Sequence, residues 1–436
     1  MKFFSVVCCL IVAFTLNGKH DFTSFSLKNG LRVVCVRKPA APIVYMSVWY
    51  NCGSRCDAVG KSGVAHYLEH MAYAIKGGAF NNFLEEIGAE KNAFTWLGCI
   101  CFYEVVPKEH MEEVLKYESA RMNSFDIDHA VFASEKKAIL EERNTLYDTN
   151  PVTLSCEATY SNIFDRTSAG INVIGWKHEI ESLQEQDLFD YHNKWFAPNN
   201  ATLVLVGDVD YQQIKPMVEK YFGGLKEKTL PILKTNDNVQ SKVVKTITSK
   251  SSEVGGFSTS YIYLVPFHAK DNFRKYLGLS LAFQALNQPE AIIRKTIESA
   301  TDKRAEIGFF YSANSSHDIV TIWLNGNSKN DLDDAEKIWH ILKQKLQSDS
   351  ALTNDEINAV KRQKLLSMAH KYDDIMDLAE CIGFSLMDGH SLDNIMAEDE
   401  IIQTMSQQEC NEAIREVFCS EPIAISRLEQ EDYDEE

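Results

Sequence analysis

The stretch Lys61-Ser62-Gly63-Val64-Ala65-His66-Tyr67-Leu68-Glu69-His70-Met71 decides the reading of this 436-residue chain. It contains H-x-x-E-H, the inverse of the commoner zinc-protease order. A helix capped by Ser62 would put His66 and His70 one turn apart on one face. At about 100° per residue, His66, Glu69, His70 and Tyr73 share a stripe while Val64, Leu68, Met71 and Ile75 fall opposite, leaving no obvious side for solvent. Two imidazoles and a carboxylate in a dry interior are costly unless something pairs with them. A divalent cation would satisfy them. So would hydrogen bonds to neighbouring side chains, and the pentapeptide alone does not choose between the two.

A second helix is expected over 127–146, where Phe132, Ile139 and Leu146 recur every seven residues and define a buried stripe. Glu135 and Glu142 follow Phe132 and Ile139 at the same spacing and so border that stripe, whereas Glu141 is turned away. A carboxylate at the edge of a core either protonates or finds a cation. Glu142 is therefore the candidate third ligand, and Glu135 a group that orients a ligand from behind. The competing reading is a solvated face in which Lys136, Lys137 and Arg143 pair with these glutamates.

Together the residues carry a family resemblance. Gly53-Ser-Arg, the run from Gly60 through His66, Glu69, His70 and Met71, then Asn92-Ala93-Phe94-Thr95, then Glu135 with Glu142, resemble the pitrilysin/insulinase family of zinc metallopeptidases. The likeness continues through Tyr191 to Pro198 and Leu203 to Asp208, and is strongest to the half-length members similar to the mitochondrial processing peptidase β subunit. That resemblance implies a zinc endopeptidase with one Zn2+ per chain, held by His66, His70 and Glu142, with Glu69 as general base. It implies an α+β fold of two similar domains, each a mainly antiparallel sheet with helices packed on one face. Asn92, Ala93, Phe94 and Thr95 match the family's edge strand, where a substrate peptide is held extended. Arg304, Gly308 and Tyr311 keep the spacing of a segment whose arginine and tyrosine contact the peptide, although Ala305-Glu306-Ile307 departs from the usual basic wording. Peptides or unfolded polypeptides are the implied substrates, and a homodimer or a heterodimer with a related subunit the implied assembly. The rival reading is a noncatalytic scaffold subunit.

The rest of the chain is compatible with this and excludes some alternatives. Its length suggests two domains: 20–225 carrying the motif and 244–436 without it, joined by a Lys-rich linker over 226–243. A net charge of −18 without a basic stripe argues against a nucleic-acid partner. The acidic end from Glu429 to Glu436 reads as a frayed, solvated tail. Lys2 followed by an apolar run to Leu16 reads as a signal peptide over 1–19, too short to cross a bilayer. Export to the periplasm of a Gram-negative bacterium is the compartment expected, and no stable membrane span is found. Neither Cys52 with Cys56 nor Cys99 with Cys101 has structural zinc spacing, so these read as small buried thiols.

Overall fold

The structure is a computed structural model that describes residues 21–73, 75–164, 167–232, 244–312 and 318–431. The expected signal peptide, most of the expected linker and the last residues of the acidic tail lie outside them.

A first sheet contains β1 (Asp21–Ser26), β2 (Arg32–Arg37), β3 (Ile43–Tyr50), β4 (Glu90–Thr95), β5 (Ile100–Pro107) and β6 (Ala201–Gly207), in the order β1-β2-β6-β3-β5-β4. All neighbours are antiparallel except β2 and β6. Between its strands run α1 (Val64–Met71), α2 (Ala79–Glu86), α3 (Met111–Asn123), α4 (His129–Arg143), α5 (Pro151–Ile163), α6 (Lys177–Ser182) and α7 (Glu185–Trp195), with α8 (Tyr211–Phe222) after it. A second sheet contains β7 (Lys245–Ser251), β8 (Phe257–Leu264), β9 (Ala305–Ser312), β10 (Ile319–Gly326) and β11 (Ala424–Gln430), in the order β7-β11-β8-β10-β9, with only β7 and β11 parallel. Its helices are α9 (Phe273–Leu286), α10 (Ile292–Ala300), α11 (Lys329–Leu346), α12 (Asn354–Asp373), α13 (Ile375–Met387), α14 (Leu392–Met396), α15 (Glu398–Thr404) and α16 (Gln407–Phe418). The chain is thus α+β, with helices packed on two mixed sheets. Glu429 and Gln430, expected in the frayed tail, instead pair with Lys250 and Ser251 at the end of β11.

One face of the first sheet, with Val33, Met46, Val48 and Phe102, packs on Leu68, Leu115, Leu188 and Val218 from four of its own helices. The matching face of the second sheet, with Tyr261, Phe309 and Ile322, packs on Leu281, Trp339 and Phe418. Each sheet also has a second buried face. Val34, Val36, Tyr45, Trp49 and Val206 of the first sheet are covered by Leu378, Ile382 and Leu386 of α13. Each such apolar side chain contributes roughly 1.5–3 kcal/mol when fully buried, so this contact is firm. Gly383 lets α13 approach: a Cβ there would lie 2.0 Å from Trp49 Cε2. In the other direction, Ile163 and Phe164 at the end of α5 pack with Ile262, Ile319 and Ala424 of the second sheet, and the Thr159 and Ser426 hydroxyls are 2.6 Å apart. Each half therefore lends one helix to the other.

Candidate metal centre

The motif helix begins one residue later than its sequence suggests. Ser62 does not cap it: Gly63, at φ +85°, is the N-cap, and Ser62 Oγ instead accepts the Trp176 N–H at 2.9 Å. The free amides are met from outside the helix, as the half-buried Asp57 carboxylate accepts Gly63 N–H at 2.8 Å and Ala65 N–H at 3.2 Å. A side chain at 63 would need the left-handed region and would put its Cβ 2.4 Å from Ile174 O, so glycine is required by both counts.

α4 is capped by Asp128, whose side chain accepts Ala130 N–H and Val131 N–H. It ends at Arg143, short of the expected 146, because the chain widens into a π turn over Asn144–Asp148. Glu142 nevertheless reaches α1. Its Oε2 is 3.7 Å from His66 Nε2 and 3.5 Å from His70 Nε2. The three residues each offer a ligand atom, and these lie within 4.8 Å of one another. Tetrahedral zinc with bonds of about 2.0–2.1 Å needs ligand atoms about 3.3 Å apart, so the set closes on such an ion with small adjustments. Glu135 Oε2 sits 3.0 Å from His70 Nδ1, which holds a proton on that nitrogen and leaves Nε2 for a metal. Glu69 stands beside the group rather than in it, 3.9 Å from His66 Nε2, and accepts a hydrogen bond from Thr95 Oγ1 at 3.1 Å. Tyr73, on the same stripe, donates from its hydroxyl to Asn92 O at 2.8 Å, tying the end of this segment to β4.

The electrostatics suit a cation. Burial, helped by the neighbouring His70, pushes the His66 imidazole down to about 4, so it is neutral and ready to ligate. Burial works against a charged His70, but hydrogen bonds to Glu142 and Glu135 outweigh it and its pKa rises. Glu142 is held below its usual range by that same hydrogen bond, against burial. Burial raises the pKa of Glu69, as a proton acceptor in catalysis requires. His66 Nδ1 is buried and has no partner among the described residues.

The expected dry interior is in fact the wall of a cavity of about 400 Å3. Of the three candidate ligands, the Glu142 side chain, 37% exposed, is the most open. Besides the motif residues, Ala93, Phe94, Thr95 and Trp96 line it from β4 and the turn beyond, and Leu146, Tyr147, Val173 and Ile174 line it from the loops after α4 and α5. β4 is an edge strand, paired on one side only with β5. Of the four expected residues, Ala93, Phe94 and Thr95 line the cavity, and Asn92 lies one residue back, where its carbonyl accepts from Tyr73. Sequence reasoning missed Tyr147, Val173 and Ile174, which carry no motif. Arg304 and Tyr311 are elsewhere: Arg304 pairs with Asp331 at 3.3 Å, and Tyr311 lines a separate cavity of about 420 Å3 with Tyr276, Phe283 and Asn287. Cys52, Cys56, Cys99 and Cys101 are buried free thiols.

Two halves of related α+β plan, one of them bearing H-x-x-E-H and a distant glutamate around a cavity, define the inverse-motif class of zinc-peptidase architecture. Residues 32–175 match the family model described as Insulinase (Peptidase family M16), and 182–364 match Peptidase M16 inactive domain. The chain belongs to this insulinase, or pitrilysin, peptidase family, among its half-length members. It is 26% identical over 250 residues to the zinc protease PqqE of Helicobacter pylori, covering 56% of this chain and 53% of that one. It is 27% identical over 223 residues to the mitochondrial-processing peptidase subunit beta of Lentinula edodes, covering 50% and 48%. The alignments span about half the length of these curated relatives. In fold it resembles a protease from Helicobacter pylori, with a TM-score of 0.78 at 19% identity over 95% of this chain and all of that one. It also resembles the periplasmic protease PqqL from Escherichia coli, with a TM-score of 0.73 at 16% identity over 95% of this chain and 48% of that one. Among the described residues no helix is long and apolar enough to cross a membrane.

Proposed function

We propose that this chain is a zinc-dependent endopeptidase acting on peptides or unfolded polypeptide segments. The observation that carries the reading is the convergence of His66, His70 and Glu142, from two separate helices, to within 4.8 Å, with the Glu69 carboxylate left over beside them. Zinc held by these three would supply Lewis acidity and would acidify a water bound to it. Glu69 accepts the proton released in the attack and passes it to the departing amine, while Thr95 Oγ1 holds the carboxylate in place. Glu135 fixes the His70 ring and its tautomer. The substrate lies extended against the free edge of β4, pairing with backbone groups of Asn92, Ala93, Phe94 and Thr95, so shape is read more than sequence. Because Arg304 and Tyr311 do not line this cavity, their contact with the same substrate would come from a second subunit, which supports a dimer. The subunit name of the Lentinula relative supports assembly with a related chain, and the periplasmic location of the Escherichia coli neighbour supports export.

The test compares cleavage of a quenched, unfolded peptide by the zinc-loaded chain, the chelator-treated chain and Glu69→Gln. Gln keeps the size of the side chain and its bond to Thr95 but cannot take a proton. Its kcat should fall about 10²–10⁴-fold with zinc still bound. Equal cleavage in all three samples would refute the mechanism. No cleavage by zinc-loaded wild type would favour a noncatalytic subunit.

A further inference from the structure

Glu142 occupies a weak place in its helix. It is the last residue but one of α4, followed directly by the π turn Asn144–Asp148. The regular α-helical ladder gives way there to the wider π register, so the helix beyond Arg143 does not hold Glu142 in an α-helical frame. α4 is tied to α1 near its start, where Tyr67 stacks on Phe132 at 4.7 Å and donates its hydroxyl to Phe132 O. Glu142 is about 15 Å further along the axis, too far for that tie to fix it.

The neighbouring Arg143 provides a second tie. Its buried guanidinium makes a forked pair with Glu157, Nη1 to Oε1 at 3.0 Å and Nη2 to Oε2 at 2.9 Å, and its Nη1 also donates to Gly175 O at 2.6 Å. Nε faces Asp148 Oδ1 at 3.2 Å, and Asn172 donates to Glu157 Oε1 at 2.9 Å. Gly175 sits so tightly on the start of α1 that a Cβ there would lie 2.5 Å from Gly63 N. One guanidinium thus joins the end of α4, the helix α5 and the turn seated on α1. α5 is the helix docked on the second sheet, so the tie is backed by the other half of the chain.

We propose that Arg143 and Glu157 are a positioning pair that holds Glu142 at the distance from His66 and His70 that a divalent ion needs. The proposal rests on the zinc reading above. Neither residue touches metal or substrate; they act through the backbone that carries Glu142. A forked arginine–carboxylate pair fixes direction as well as distance, which lysine cannot do. Partners behind metal ligands typically change metal affinity about 10–100-fold when removed.

The test measures zinc dissociation constants of the full chain by competition with a chromophoric chelator, for wild type, Glu157→Gln and Arg143→Lys. Visible absorption of the cobalt-loaded proteins reports ligand geometry independently of activity. Both variants should bind zinc about 10–100-fold more weakly and show altered cobalt bands, with circular dichroism still that of a folded chain. Folded variants with wild-type affinity and wild-type cobalt bands would overturn the proposal. Should Glu157→Gln fail to fold, Arg143→Lys, which keeps the charge and loses the fork, decides the matter alone. A wild type with no zinc affinity would refute the metal reading itself, and this proposal with it.

Discussion

Phe384→Ala probes how far the wall of the cavity depends on the opposite half of the chain. Phe384, on α13, stacks on Phe94 at 5.3 Å with rings 16° apart, meets Trp49 edge-on at 4.9 Å and approaches Trp96 at 6.1 Å. Phe94 and Trp96 line the candidate metal centre. Truncating a fully buried phenylalanine costs about 3–5 kcal/mol. Phe384 is half-buried, which lowers the transfer part, but removing each ring–ring pairing adds about 0.5–1.5 kcal/mol. The expected destabilisation is therefore about 3 kcal/mol, read from the urea midpoint by tryptophan fluorescence. Where native protein persists, the edge strand should be less ordered, so KM for an extended peptide should rise several-fold while kcat and zinc affinity stay near wild type. A destabilisation below about 1 kcal/mol with unchanged KM would show that α13 is a passive cover and refute the reasoning.

Two further outcomes follow from titratable groups. Zinc must displace the proton from His70, whose pKa lies above the ordinary 6.5, whereas His66, near 4, is already neutral. Apparent zinc affinity, followed by chelator competition between pH 5 and 8, should therefore fall about tenfold per pH unit on the acid side with a slope of one proton, and a slope of two would contradict this assignment. His192 is buried, its Nε2 lies 2.8 Å from Arg121 O, and burial pushes its pKa down to about 4 from 6.5. The unfolded chain then binds a proton between these values that the folded chain refuses, so stability falls as pH drops from 6.5 towards 4, by about 2 kcal/mol at pH 5. His192→Phe should remove that share of the difference in urea midpoint between pH 7 and 5, and an unaltered difference would exclude His192 as its source.

Much of this architecture was legible because the governing patterns are local. α4 lies within the span 127–146 that its apolar period marks, and the spacing of Glu142 from Phe132 and Ile139 placed it beside the core stripe. α5 escaped notice because the face it buries is largely polar: Glu157 meets Arg143, Thr159 meets Ser426, Ser155 lies inside with them, and Ile163 at the end is too isolated to set an apolar period. α13 escaped because its apolar face meets strands from the opposite half of the chain, an arrangement that no window of sequence displays. Ser62 looked like a cap since hydroxyls commonly are, but Asp57 reaches the helix end from six residues before Gly63, and Ser62 is taken up by the Trp176 N–H. The loop residues around the centre carried no signal, since Val173 and Ile174 are placed by that same approach and not by any repeat.

The reciprocal loan of α5 and α13 gives the molecule the character of a clasp. Cutting the backbone anywhere between Ile232 and Val244 would leave two fragments still gripping one another, and they should elute together until denaturant is added. Made alone, either piece would present a bare greasy sheet to water, and rapid clumping is the fate such a surface invites.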